Sequence, residues 1–439
     1  MEKTTRREKR EKEKNINFFG EFIKIQKHFF QDILKHLKNA KDPRHKSYIE
    51  YGTDVILFTI LMKNACSIFS MSNMTEEFNK EECIENIAKT LGYEKLQDLP
   101  HHDTINNFLC ELEIAEIEKI RDYMIRELFK KRCLEGYRLL DRYWSIAIDA
   151  TGLFSFKEKH CEHCLKKEYK NKETGEVEKT VYYHNVLEAK LVVGDMVFSI
   201  ATEFIENQDE NVSKQDCEIK AFKRLAIVLK AKYARLPICI LGDSLYACEP
   251  VFKICDDYRW RFLIRFKEGS IKSVANEFNI IKELEVEKIE NCKWVNEISY
   301  NQRKVNVIEA VVEDDKQKTT TYVFITNIGI TKRNADKIVH FGRSRWKIEN
   351  EGFNNQKTKK YNIEHANSLN YNAMKNHYLI TQLADILRQL YEKGAEKIRD
   401  LKKSIKEISS SLLESLRTKL LTNDEDILHM DKRMKIRLL

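Results

Sequence analysis

Hydrophobic positions change their rhythm twice along the chain. From Phe18 to about Tyr137 they recur at helical spacing, as in Phe22, Ile25, Phe29, Ile33 and Leu37, and again in Val55, Phe58, Leu61 and Met62. This predicts an all-α N-terminal domain over residues 18–140. Asp103 and Thr104, after Pro100, read as a helix start ahead of the stripe Ile105, Phe108 and Leu109. At Tyr143 the rhythm breaks. The run Trp144-Ser-Ile-Ala-Ile148 is short and almost wholly apolar, which predicts a buried strand with Asp149 at its exit. Similar runs occupy 187–193, 197–202, 238–241, 261–266 and 322–326, and a helical stretch at 217–233 lies among them, its apolar face read as Ala221, Leu225, Ile227 and Leu229. Strands interleaved with helices predict an α/β domain with a mixed sheet over 141–365. Charged, alternating segments at about 267–318 read as an insertion within it, and residues 366–439 as a helical C-terminal region. Residues 1–17 begin with Lys, Arg and Glu and have no apolar side chain between Met1 and Ile16, the pattern of a flexible charged leader.

Composition narrows the classes. With 439 residues, 42% of them hydrophobic, the chain is long enough for two or three packed units and is neither disordered nor fibrous. Only 13 Gly and 4 Pro interrupt it, which favours long elements. The best apolar run, 54–62, is followed at once by Lys63 and Asn64, too short for a membrane span. Eleven cysteines, mostly single within apolar stretches, point to a reducing, cytoplasmic setting. The net charge of +8 permits a polyanionic partner and does not by itself name one.

The candidate chemistry lies in three acids. Asp149 ends the run Ile146-Ala-Ile148, and Asp243 ends Ile238-Cys-Ile-Leu-Gly242. Glu349 sits in Arg345-Trp-Lys-Ile-Glu-Asn-Glu-Gly-Phe353, on a helix expected to begin after Thr331. Carboxylates at the ends of neighbouring strands converge at one sheet edge, and a helical Glu against that edge completes a set of hard oxygen donors suited to Mg²⁺ or Mn²⁺. Phe341, Arg345, Glu349, Phe353 and Lys357 follow one another in steps of four, which puts Arg, Glu and Lys on one face of a regular helix. Singly, each Asp also reads as a turn or helix cap.

Together, Ile148-Asp149-Ala-Thr-Gly152, Gly242-Asp243-Ser-Leu-Tyr246, Tyr322-Val-Phe-Ile-Thr-Asn327 and Arg345-Trp-Lys-Ile-Glu349 resemble the DDE transposases of bacterial insertion sequences. More narrowly, they resemble the subgroup with a helical N-terminal domain, a β-rich insertion between the second Asp and the Glu, and a Tyr/Arg/Glu/Lys signature. The resemblance runs from about residue 100 to 390, with Lys214-Gln-Asp-Cys-Glu218 as a supporting segment. It implies an RNase H-like catalytic core in which Asp149, Asp243 and Glu349 hold two Mg²⁺ (or Mn²⁺) ions, with Arg345 and Lys357 on transposon-end phosphates. Trp346 is either a stacking platform for an unpaired base or an inward-facing core residue. Two positions depart from the pattern: Gly342 stands where a Tyr is usual, and Gln356 occupies the commonest slot of the Lys. The implied partners are transposon-end and target DNA and a second copy of the chain in a paired-end complex, and the implied place is the bacterial cytoplasm at the nucleoid. The competing expectations are a DNA-binding derivative without catalysis and a nuclease of the same fold.

A second cluster is Cys161, His163 and Cys164, followed by His184. Cys-x-x-Cys with nearby imidazoles is a zinc-like spacing, and the alternative is a solvent-facing loop.

Overall fold

The computed structural model describes residues 14, 16–158, 160–208, 214–284, 287–289, 291–313 and 318–421; most of the charged leader expected at 1–17 lies outside them. The chain forms two compact units, one of Met1–Leu134 with Asn354–Leu439, the other of Glu135–Phe353. The sequence placed its changes of character at 140 and 365. The two helical regions, separate in sequence, form one unit because the helix Tyr371–Gly394 packs against Thr53–Ala65, His102–Glu111, Ile114–Lys130 and Phe18–Phe29. Thr53–Ala65 is buried at every position, as expected of a helix that is apolar on all sides.

Segment 354–365 belongs to this helical unit, tied in by a polar network. Gln356 Nε2 donates to Asp385 at 2.8 Å and to Gln382 at 3.0 Å, and the Tyr361 hydroxyl donates to Asp385 at 3.0 Å. Lys360 Nζ lies 3.0 Å from Glu392 and 3.6 Å from Asp385, and Arg388 donates to Glu392 at 2.6 Å and to Ser409 at 3.1 Å. These groups are all buried.

The central unit is built on a ten-stranded sheet: β1 (Trp144–Phe156), β2 (Leu165–Lys170), β3 (Val177–Val193), β4 (Met196–Ile205), β5 (Ile238–Gly242), β6 (Arg261–Arg265), β7 (Glu287–Ile289), β8 (Cys292–Tyr300), β9 (Arg303–Glu313) and β10 (Thr319–Thr326). Its order is β2-β3-β1-β5-β6-β10-β9-β8-β7, with β4 paired to β3. β1, β5 and β6 run parallel, and β3, β4 and β10 pair antiparallel. Parallel neighbours need crossovers, here supplied by the helices Glu218–Lys232 and Glu249–Tyr258. Strands covered on both faces lose the in-out alternation, which is why Trp144–Ile148 and β5 read as continuous apolar runs. The segment read as an insertion contributes the helix Lys272–Leu284 and then β7, β8 and β9, which extend the same sheet through β10. On the helix Glu218–Lys232 the buried face is Ala221, Phe222, Leu225, Ala226 and Leu229. Ile227, expected inside, is exposed because it falls on the opposite side of the turn.

Candidate active site

The pairing register sets the first two acids level. β1 and β5 pair in parallel through Ala147 opposite Leu241, so Asp149 and Asp243 each stand two residues beyond the last pair, on the same face; Asp243 follows the end of β5, whereas Asp149, expected at a strand exit, lies within β1, which runs on to Phe156 along β3. Both carboxylates also make the short-range bonds of turn residues: Asp149 Oδ1 accepts from the Ala150 N–H at 3.0 Å, and Asp243 Oδ1 from the Leu245 N–H at 2.9 Å. One oxygen of each is used this way; the second oxygen of Asp149 accepts from Arg345.

The third acid arrives on a helix that differs from expectation. Regular α-helix spans Ala335–Ser344 and then gives way to π-type winding at Ile348–Phe353 and again at Asn355–Lys360. With bonds from i to i+5, steps of four no longer hold Arg345, Glu349, Phe353 and Lys357 on one stripe. In this stretch Ile348 and Phe353 are buried in the core of the unit, and Gly352 lies so near β3 and β4 that a Cβ there would sit 3.3 Å from Val197 and 3.5 Å from Lys190 Nζ.

Glu349 is brought close enough to Asp149 for the two charges to repel. Burial, offset in part by Arg345, and then repulsion from Asp243 and Glu349 push the Asp149 carboxyl up to about 6. The compensating cation is Arg345, whose Nη1 donates to Asp149 Oδ2 at 3.1 Å. Asp149, Asp243 and Glu349 are half-buried hard-oxygen donors of the kind a divalent cation takes, with Arg345 paired to Asp149, although their ligand atoms do not all lie within 4.8 Å of one another.

Two further acids belong to this region and escaped the sequence reading as site residues. Glu218, at the start of its helix, is held above the ordinary carboxylate range by burial and by the charges of Asp149 and Asp243, and the Tyr246 hydroxyl lies 3.3 Å from its Oε2. Glu188 stands directly opposite Asp149 in the β1–β3 register, is fully buried, and accepts from Thr202 at 2.6 Å. The signal for Glu218 was the segment 214–218; for Glu188 there was none, since it lies in mid-strand.

Beside the carboxylates is a basic and aromatic surface. Trp346 is 49% exposed, with the Arg345 guanidinium 5.4 Å from its ring centre, which removes the core alternative for this side chain. Tyr322 takes Arg265 at 4.8 Å and Arg343 at 5.2 Å. A cavity of about 500 Å³ opens here, with Tyr322, Arg343, Trp346 and Lys347 in its wall. Gly342, where a Tyr was usual, has no room for a side chain: a Cβ would meet the Phe324 ring at 2.8 Å. Lys357 falls in the helical unit and pairs with Glu364 at 2.8 Å; Gln356, in the expected Lys slot, is buried in the Asp385 network. Of the second cluster, the structure gathers Cys161, Cys164 and His184, while His163 turns its Nδ1 to the Asn207 carbonyl at 3.0 Å.

No curated protein matches this sequence. Among solved structures, the chain is similar to the piggyBac transposase in its synaptic complex with hairpin DNA, seen by cryo-EM, with a TM-score of 0.43 and 11% identity over 96% of this chain and 84% of that one. The family model described as "Transposase DDE domain" matches residues 143–387, more than half of the chain, and that span takes in all three acids and Arg345. The chain therefore belongs to the transposase DDE domain family and is a metal-dependent, DNA-cleaving transposase.

Proposed function

We propose that this protein binds the terminal inverted repeats of its own mobile element, cuts the phosphodiester at each end and joins the free 3′ hydroxyls to target DNA. The observation that carries the reading is the level placement of Asp149 and Asp243 on adjacent parallel strands, with Glu349 near enough to repel Asp149. In this reading Asp149, Asp243 and Glu349 are the ligands of two Mg²⁺ or Mn²⁺ ions, and Glu218 orients or supplements that set. Held by these carboxylates, such ions would supply activation of the attacking water or 3′ hydroxyl and stabilisation of the leaving oxygen. Arg345 holds Asp149 in place and, with Arg343 and Arg265, faces the DNA phosphates; Trp346 stacks on an unpaired base. Tyr322 on β10 takes the part of the Tyr that Gly342 cannot supply. Lys357 serves end binding from the helical unit. The strand order β4-β3-β1-β5-β6, antiparallel then parallel about β1, supports an RNase H-like core, and β7–β9 support the insertion-bearing subgroup of bacterial insertion-sequence enzymes. Basic side chains of the helical regions supply salt-dependent backbone affinity. A second copy of the chain in the paired-end complex follows from the chemistry of two ends, and bacterial cytoplasm from the subgroup. Among the described residues no helix is long and apolar enough to cross a membrane.

The test is incubation with end-containing DNA and Mg²⁺, comparing wild type with Asp149→Ala. Cleavage and joining that vanish in the variant, with DNA binding retained, support the reading. Wild-type binding without cleavage makes the protein a DNA-binding derivative, and cleavage without joining makes it a nuclease.

A further inference from the structure

Among the described residues, two groups bring three metal-ligating atoms together: His101, His102 and Asp103, which lie largely at the surface, and Cys161, Cys164 and His184, which are more enclosed. Cys161 and Cys164 flank a turn closed by the Cys164 N–H donating to the Cys161 carbonyl at 3.2 Å, just ahead of β2. His184 projects from β3, and its Nε2 lies 3.4 Å from Cys161 Sγ and 3.2 Å from Cys164 Sγ, with the two sulfurs 3.7 Å apart. Tetrahedral zinc, with Zn–S of about 2.3 Å and Zn–N of about 2.0 Å, requires S···S edges of about 3.8 Å and S···N edges of about 3.5 Å. All three separations lie near those values. The sulfurs are far beyond the roughly 2.05 Å of a disulfide bond, and both thiols are free. A neutral imidazole Nε2 has one lone pair and cannot accept linearly from two thiols, whereas one cation at the centre of the triangle satisfies all three atoms.

We propose that Cys161, Cys164 and His184 bind one Zn²⁺, with water in the fourth position. Water is assigned there because, among the described residues, no other Cys, His, Asp or Glu brings a ligand atom into the group. Two thiolates and an imidazole are soft donors that select zinc over Mg²⁺, so this site is chemically distinct from the oxygen site at the sheet edge. His163 is left out of the ligand set because neither of its ring nitrogens lies with the three gathered atoms. Asn207 holds the turn in place: its Nδ2 donates to the Cys164 carbonyl at 2.9 Å and its N–H to the His163 carbonyl at 3.2 Å. The same side chain accepts from the Asp216 N–H at 3.1 Å, two residues before Glu218. The zinc therefore ties the connection after β1 to β3 and, through Asn207, fixes the entry to the helix that carries Glu218.

The test uses the full chain without a His tag, given one equivalent of ZnCl₂, desalted and analysed for metal. About one zinc per chain is expected in wild type and in His163→Ala. Cys161→Ser and His184→Asn should each retain less than about a fifth of that and lose on the order of 5 °C in Tm. Wild type retaining well below one zinc overturns the site, and His163→Ala losing zinc overturns the ligand set. Should the cysteine variants fail to fold, Co²⁺-loaded wild type answers alone. Intense tetrahedral d–d bands with thiolate charge transfer support the site, and a weak six-coordinate spectrum overturns it.

Discussion

Two clusters of carboxylates, one in each unit, are treated in opposite ways. In the helical unit, burial alone would raise the Glu392 carboxyl, but Lys360 and Arg388 beside it outweigh that and hold it below the ordinary range. Asp385 there accepts from Gln356, Tyr361 and Gln389 as well as facing Lys360. At the sheet, Asp149 pairs with Arg345, yet burial and the charges of Asp243 and Glu349 keep its carboxyl up at about 6, and burial with the charges of Asp149 and Asp243 raises Glu218. In the helical unit each of these charges is matched from within the chain; at the candidate site the match is partial, with Arg345 on Asp149, as the proposed metal binding would require. A buried charge left unmatched costs stability, and that cost marks the site.

The comparison can be broken most directly from the catalytic side. Asp149→Ala should lower the cleavage rate by on the order of a thousandfold or more while leaving the melting temperature of metal-free protein unchanged or higher; a lower rate with a clear loss of Tm would make Asp149 a structural residue like Asp385. On the structural side, Lys360→Met leaves Glu392 buried with one cation fewer and should destabilise the protein by about 3–5 kcal/mol, read by chemical denaturation. If it costs less than about 1 kcal/mol, the network is not what secures segment 354–365. Glu218→Gln should weaken apparent Mn²⁺ affinity or activity about 10- to 100-fold with little change in fold, the usual scale for groups that orient metal ligands.

The pH dependence sharpens the contrast further. With its folded-state pKa near 6 against an ordinary 3.8, Asp149 favours the folded state when protonated; that contribution is whole below 3.8 and lost as pH rises through 6. Metal-free Asp149→Asn should therefore melt higher than wild type at pH 7, with the gap closing toward pH 4. Protons and metal compete for the same oxygens, so Mn²⁺ affinity of wild type should fall below pH 6. The smallest effect is expected from Trp346→Ala, a few-fold weaker binding to DNA with unpaired ends and no change on fully paired duplex.

Much of this was legible in the sequence for physical reasons. Strands sheathed on both faces announce themselves as apolar runs, so Trp144–Ile148 and β5 could be read directly, with Asp243 past the end of β5; the continuation of β1 through Asp149 to Phe156, where the pattern turns mixed, could not. The block from Arg345 to Glu349 was legible as a helix segment, but not its π winding, which no residue periodicity announces. Trp346 looked equally suited to core or surface because one residue's orientation on a non-standard turn cannot be set by periodicity. Glu218 and Glu188 were missed as site residues because their roles come from strand register and helix placement. The union of the two helical ends was illegible for the same reason: helical spacing reports that a face is apolar, not which distant helix covers it. Spacing pointed to Cys161, His163, Cys164 and His184 together, and only the fold separates the gathered three from His163.

The central claim is that the partly matched acids at the sheet are a metal site. The most direct measurement is Mn²⁺ binding to the purified chain with end DNA, followed by electron paramagnetic resonance. Asp149→Ala, Asp243→Ala and Glu349→Ala should each lose tight Mn²⁺ binding while still binding DNA. Mn²⁺ bound as tightly in all three variants as in wild type would contradict the account.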